Sequence, residues 1–217
     1  MNKLVVAALI VFSFAHGNTL FGQGGPDRVD RIRDKLDELQ RYSDSVAARE
    51  IPFEEKRYFP FRKAPVAVTG VLRMWKGKGI SISYPKYRTM IIYDGKGVLM
   101  RKVSKDGTIR ERTPDIESTN TIALLGAAFG FDQERLHQIF SMTWEESENG
   151  WKILMVPNNP EEKKLESVSI FGEKLQIESI ELSFVDRKRI EILPQNEVPK
   201  DGFSGAEITK YFRSENG

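Results

Sequence analysis

The chain has no cysteine among its 217 residues. That excludes disulfides, thiol nucleophiles and thiolate metal ligands, and it removes the thiol on which an exported chain would carry an N-terminal lipid. Histidine is nearly as scarce: beyond His16, near the start, there is only His137. A Ser-His-Asp arrangement would depend on His137, yet no Gly-x-Ser-x-Gly elbow presents a serine to it. One histidine and scattered carboxylates do not make a metal donor set. Charge of one sign is also lacking, since 33 basic residues face 31 acidic ones for a net charge of +2, which argues against a nucleic-acid partner. The expectation is a non-enzyme with no catalytic residue, metal or cofactor.

Long hydrophobic runs are missing too, except at the start. Lys3, the apolar run Leu4 to Phe14 and the small residues of Ala15-His16-Gly17 read as an export signal, residues 1–17, cut there or a few residues later. That run is shorter than the roughly 20 apolar residues of a membrane span. The expected location is the periplasm. With 40% apolar residues, the remainder has the material for a globular core.

Two periodicities organise the rest of the chain. Val29, Ile32, Leu36 and Leu39 recur at helical spacing, so Asp27 to Tyr42 reads as an amphipathic helix laid on a larger body. From Ile51 the period changes to two. The runs IPFEEKRYF, VAVTGVLRMW, GISISY, TMIIYD and GVLMRKV read as strands, and so do FSMTWEES, WKILMVP, LESVSIFG, KLQIESIELSFVD and KRIEIL. Asp94-Gly95 is a hairpin signal. VAVTGVLRMW is apolar on both faces, as a strand is when a core lies on one side and a covering helix on the other. The apolar frame slips between Ile177 and Ile180, which predicts a bulge. About ten strands in one sheet should curl. The expected domain is 27–193, followed by a less ordered tail, 194–217.

Ser118 to Phe131 interrupts the strands with fourteen uncharged residues. Ile122, Leu124, Leu125 and Phe129 suit a short helix that is apolar on nearly all sides, and a second helix spans Asp132 to Phe140. The acidic pairs Glu54-Glu55 and Glu145-Glu146 point to opposite strand faces and, like Glu161-Glu162, read as solvated residues rather than an acid and base pair. Arg187-Lys188-Arg189 and Lys163-Lys164 lie beside turns, where they would be solvated, or touch lipid headgroups or an acidic partner.

This order of signal, amphipathic helix, FEEKRYFPF, the pair VAVTGVLRMW and GISISYP, the run RTMIIYDGKGVLMRK, an apolar helix and a meander ending in DRKRIEIL resembles the LolA family of periplasmic outer-membrane lipoprotein carriers, as a divergent member, over residues 27 to 193. The resemblance implies a mainly β (α+β) fold: a single curved antiparallel sheet forming an open, incomplete β-barrel lidded by short helices, with an N-terminal amphipathic helix. It implies a carrier that holds acyl chains of lipoproteins, or a related amphiphile, in its apolar interior. Partners would be the lipid-bearing cargo, an inner-membrane exporter and an outer-membrane acceptor, with transient membrane contact only. Cavity and lid residues would include Met74, Ile80, Ile82, Tyr84, Ile122, Leu124, Leu125, Phe129 and Trp144. The family has an arginine-proline pair after the strand matching VAVTGVLRMW, and that arginine holds the lid shut. Here the stretch reads Trp75-Lys76-Gly77-Lys78-Gly79, so Lys76 is left as the lid latch, a point charge without the planar fork of arginine. The competing expectation is a non-catalytic envelope scaffold whose interior is filled by side chains, and a third is an envelope hydrolase working through His137.

Overall fold

The computed structural model describes residues 26–76, 78–94, 97–113, 133–147, 150–158 and 165–212. Helix α1 (Pro26–Ser45) leads into twelve strands among the described residues. The first six are β1 (Ala48–Tyr58), β2 (Val66–Trp75), β3 (Gly79–Tyr84), β4 (Thr89–Tyr93), β5 (Val98–Val103) and β6 (Ile109–Arg112). A short helix α2 (Gln133–Ile139) precedes β7 (Phe140–Ser147), β8 (Gly150–Pro157), β9 (Leu165–Glu173), β10 (Gln176–Phe184) and β11 (Arg189–Pro194). The chain then adds β12 (Val198–Lys200) and helix α3 (Gly205–Tyr211).

All strands join one antiparallel sheet in the order β6-β5-β4-β3-β2-β1-β11-β10-β9-β8-β7. The path ends on β6 and β7, which do not pair with each other, so the sheet is open and matches the incomplete barrel expected. β12 continues the side of β1 that β11 leaves: β11 pairs with Phe53 to Tyr58 and β12 with Ala48 to Glu50. The change of partner falls around Pro52, whose nitrogen has no hydrogen to give and whose carbonyl accepts from the Gln195 N–H at 2.8 Å. The bulge read from the sequence is present, as a register shift between Ile177 and Ser179.

Strand alternation sorts side chains onto two faces. The inner face carries Phe53, Leu72, Ile82, Ile153, Ile170 and Ile180 in one buried cluster, on which Leu36 and Leu39 of α1 pack. Two aromatic rings lie against glycines on neighbouring strands: Phe53 against Gly70 and Trp151 against Gly172, where a Cβ would strike the ring. The outer face of β1 and β2 has its own smaller cluster, in which Trp75 meets Phe203 and Phe212 with ring centroids 5.8 Å apart in each case. The covering helix that VAVTGVLRMW called for is therefore α3. It comes from the segment expected to be less ordered, and the fold continues past residue 193. Ser204 and Glu207 form a capping box at its start, which satisfies two otherwise orphaned N–H groups.

The hairpins reverse at two ends. The tip end holds the turns β1–β2, β3–β4, β5–β6 and β10–β11. The anchored end holds the passage from α1 into β1, the turns β2–β3 and β9–β10, and the crossing from β11 to β12. At the anchored end Arg49, on the inner face, donates to the Ser43 carbonyl at 2.6 Å and pairs with Glu197 at 3.5 Å. An arginine on a C-terminal carbonyl also complements the helix dipole, so α1 is held at this end.

Candidate functional site

Of the residues expected to line an interior, Met74, Ile80, Ile82 and Tyr84 share the inner face of β2 and β3 and pack in the same cluster. Trp144 lies on that face of β7, stacked on Trp151 at 5.2 Å and 18°. The structure thus places these five on one apolar surface. Ile122, Leu124, Leu125 and Phe129 fall outside the described residues. Lys76 sits at the anchored end, where its Nζ lies 3.4 Å from both the side chain and the carbonyl of Asp44 near the end of α1. Among the described residues no group of acidic and histidine side chains is arranged to hold a metal, and His137 stands exposed on α2.

A buried carboxylate lies within this apolar surface, and the sequence reading misjudged it. Glu55 is not solvated: it is 3% exposed, on the inner face, one step along β1 from Phe53. Its partner in the pair, Glu54, points to the other face as expected. The Glu55 carboxylate accepts from the Tyr84 hydroxyl at 2.7 Å and from Nε of Arg57, which follows it on the same face. A buried carboxylate with two donors avoids most of the penalty of an unpaired one. Burial, and next the Glu55 charge, push the Tyr84 hydroxyl well above the ordinary tyrosine range. Burial is the largest single influence on Arg57 and works against its charge, but the bond to Glu55 and the charge of Glu55, with smaller help from Tyr84 and Tyr87, together outweigh it and leave its pKa raised. Arg57 is half exposed, and Nε is the nitrogen that Glu55 engages. Glu55 therefore holds the guanidinium through Nε, on the inner face towards the tip end of β1.

The fold resembles known ones only distantly. No family model matches the chain, and no curated protein matches it. Among solved structures, a DUF1329 family protein from Desulfovibrio piger is similar at 9% identity and a TM-score of 0.48, over 81% of this chain and 95% of that one. A putative outer membrane lipoprotein-sorting protein domain from Vibrio parahaemolyticus is similar at 8% identity and 0.44, over 81% and 95%. A LolA superfamily protein from Nitrosomonas europaea is similar at 6% identity and 0.46, over 83% and 98%. At such identities no residue's role passes from those chains to this one.

Two clefts flank the sheet, one on its outer face and one at the anchored end of its inner face. One, of about 600 Å³, separates the outer face of β3 to β6 from α3 and is lined by Met90, Val103, Ile109 and Tyr211 among others. Its arginines are engaged: Arg73 with Glu50 and Ser83 and stacked 3.8 Å from the Tyr211 ring, Arg101 with Glu111 and the last carbonyls of α3. They fasten the helix to the sheet. The other, of about 590 Å³, lies at the anchored end between the β9–β10 turn and the β11–β12 crossing, with Arg49 and Glu197 in its wall.

Proposed function

We propose that this chain is a non-enzymatic periplasmic carrier that holds the acyl chains of a lipoprotein, or a related amphiphile, against the inner face of its open sheet. The observation that carries the reading is an unclosed sheet with one connected apolar cluster on its inner face, beside which Glu55 holds the Arg57 guanidinium towards the tip end. Acyl methylenes leaving water for such a face contribute about 0.8 kcal/mol each. Arg57 suits the anionic or strongly accepting part of a headgroup, because an oriented guanidinium fork pairs with carboxylate or phosphate through two parallel bonds.

In this reading Met74, Ile80, Ile82, Tyr84 and Trp144 meet the acyl chains. Ile122, Leu124, Leu125 and Phe129 form a lid exchanged for them, and Lys76 latches the cover through the end of α1. Release requires a better home for the chains, so the partners are an inner-membrane exporter that loads the carrier and an outer-membrane acceptor that unloads it. Residues 1–17 serve as the export signal. No helix among the described residues is long and apolar enough to cross a membrane.

One observation favours the second reading, an envelope scaffold with a filled interior: Ile80, Ile82 and Trp144 are all buried in this state. The two readings separate on bound lipid. The protein is purified from a bacterial envelope extract without detergent and its organic extract examined by mass spectrometry, beside Leu125→Glu. The carrier reading expects acylated cargo near one per chain in the wild type and its loss in the variant. A lipid-free wild type that also ignores added acylated peptide sinks it.

A further inference from the structure

Seven large apolar side chains stand exposed among the described residues, and six of them lie at the tip end. Phe61, 83% exposed, is in the β1–β2 turn, with Phe59 beside it at 5.4 Å. Val185, 68% exposed, is in the β10–β11 turn, and Ile109, 59% exposed, starts β6 opposite Val103. Tyr87 belongs to the β3–β4 turn and Val156 to the end of β8. Only Val198 is elsewhere. Scattered exposed apolar residues need no explanation, but their collection at one end of a sheet does.

Among the described residues, the charges at this end are also one-sided. Arg62, Lys63, Lys86, Arg88, Lys105 and Arg187 are exposed on the same turns, against the acidic residues Asp106 and Asp186. Each of those aspartates is turned inward to its own loop, Asp106 accepting from the Thr108 N–H at 3.0 Å and Asp186 from the Lys188 N–H at 3.1 Å. The chain as a whole is near neutral, whereas the described turns at this end carry a local excess of cations. Arg88 and Arg187 even occupy left-handed backbone at φ 50° and 63°, where glycine or asparagine is the less costly choice.

We infer that the tip end docks on the surface of an anionic lipid bilayer, the exposed apolar tips entering the interface while the flanking cations meet the headgroups. A protein partner would be met by a contiguous packed patch whose centre is poor in lysine. Here the apolar residues stand on separate turns with lysine and arginine between them. That pattern suits a fluid surface in which each tip inserts on its own, and it combines the two attractions that interfacial anchors use. The inference does not depend on acyl chains being held by the inner face, because all six residues lie on turns and strand ends outside it.

The test is co-sedimentation of the full chain, purified without detergent, with vesicles of phosphatidylcholine alone or mixed with phosphatidylglycerol, at low and high salt. Every variant keeps the same N-terminal segment, so any contribution from it is common to all. The wild type is expected to sediment with the phosphatidylglycerol vesicles, less so at high salt. Phe61→Ser with Val185→Ser should weaken binding by at least about tenfold, and Arg62→Glu with Lys63→Glu should abolish the preference for anionic vesicles. Val198→Ser, at the other end, should change nothing. These positions are exposed, so folding is checked by circular dichroism and is expected to be unaltered. A wild type that stays in the supernatant, whether or not it captures a protein, overturns the inference, and so does a Phe61→Ser, Val185→Ser variant that sediments like the wild type. Neither result bears on lipid recovered from the purified protein, so the two ideas fail separately.

Discussion

The two ends of this sheet treat aromatic side chains in opposite ways. At the anchored end Trp75, Phe203 and Phe212 are brought together under a seven-residue helix, and Arg49 ties α1 to the start of β1. At the tip end Phe61, Tyr87 and Val185 stand in solvent, although the same chain builds a tail able to cover rings elsewhere. Stability explains the first arrangement, since buried rings contribute through area and edge contacts. It does not explain the second. The difference teaches that the anchored end keeps the sheet's shape and leaves the tip end free for contact.

That division is open to measurement, and the largest effect belongs to the anchored end. Phe212→Ala removes a ring that is fully buried against Trp75 and Phe203, and should cost about 3–5 kcal/mol in denaturant unfolding. A change near zero would mean that the tail contributes no packing. Between the two ends, Tyr84→Phe deprives the buried Glu55 of a donor and should cost about 1–3 kcal/mol near neutral pH.

The same substitution has a pH signature. The folded state holds the Tyr84 proton more tightly than the unfolded chain does, so its contribution is complete below the ordinary tyrosine value of about 10 and is lost as pH rises beyond it. The stability difference between wild type and Tyr84→Phe should therefore narrow above that value. A difference constant with pH would contradict the buried hydroxyl. Ser204→Ala, which opens the capping box of α3, should cost about 1 kcal/mol. Smallest of all, Phe61→Ser and Val185→Ser should each leave stability within about 0.5 kcal/mol of the wild type, because neither ring nor branch is buried.

Much of this fold was legible because its strands alternate. Ten of the twelve strands among the described residues follow runs of period two, and the slip between Ile177 and Ile180 appears as a register shift inside that interval, between Ile177 and Ser179. The apolar outer face of VAVTGVLRMW also asked for a cover, and α3 supplies it. β6 was not legible, since Ile-Arg-Glu-Arg is exposed throughout and shows no apolar alternation. β12 contains three residues, one of them proline. For α3 the signal was there: Ser204 followed three residues later by Glu207 is a helix start, overshadowed by the Pro, Gly and charge around it. Alternation also puts Glu55 and Arg57 in one frame with Ile51 and Phe53. What it does not supply is the partner that makes burial tolerable, since Tyr84 is 29 residues away on β3. Long-range pairing of that kind depends on register across two strands, and local sequence is silent on it.

The chain's three tryptophans allow a direct test of the central claim that acyl chains lie on the inner face. Trp144 and Trp151 are stacked there, and Trp75 is on the outer face against the tail. A lipopeptide with brominated acyl chains is titrated into a Trp75→Phe variant, whose emission comes only from the inner pair, and into a Trp144→Phe, Trp151→Phe variant that keeps Trp75. The carrier account predicts saturable quenching of the first and none of the second. No quenching of the inner pair by a lipopeptide that binds, or equal quenching of Trp75, would contradict it.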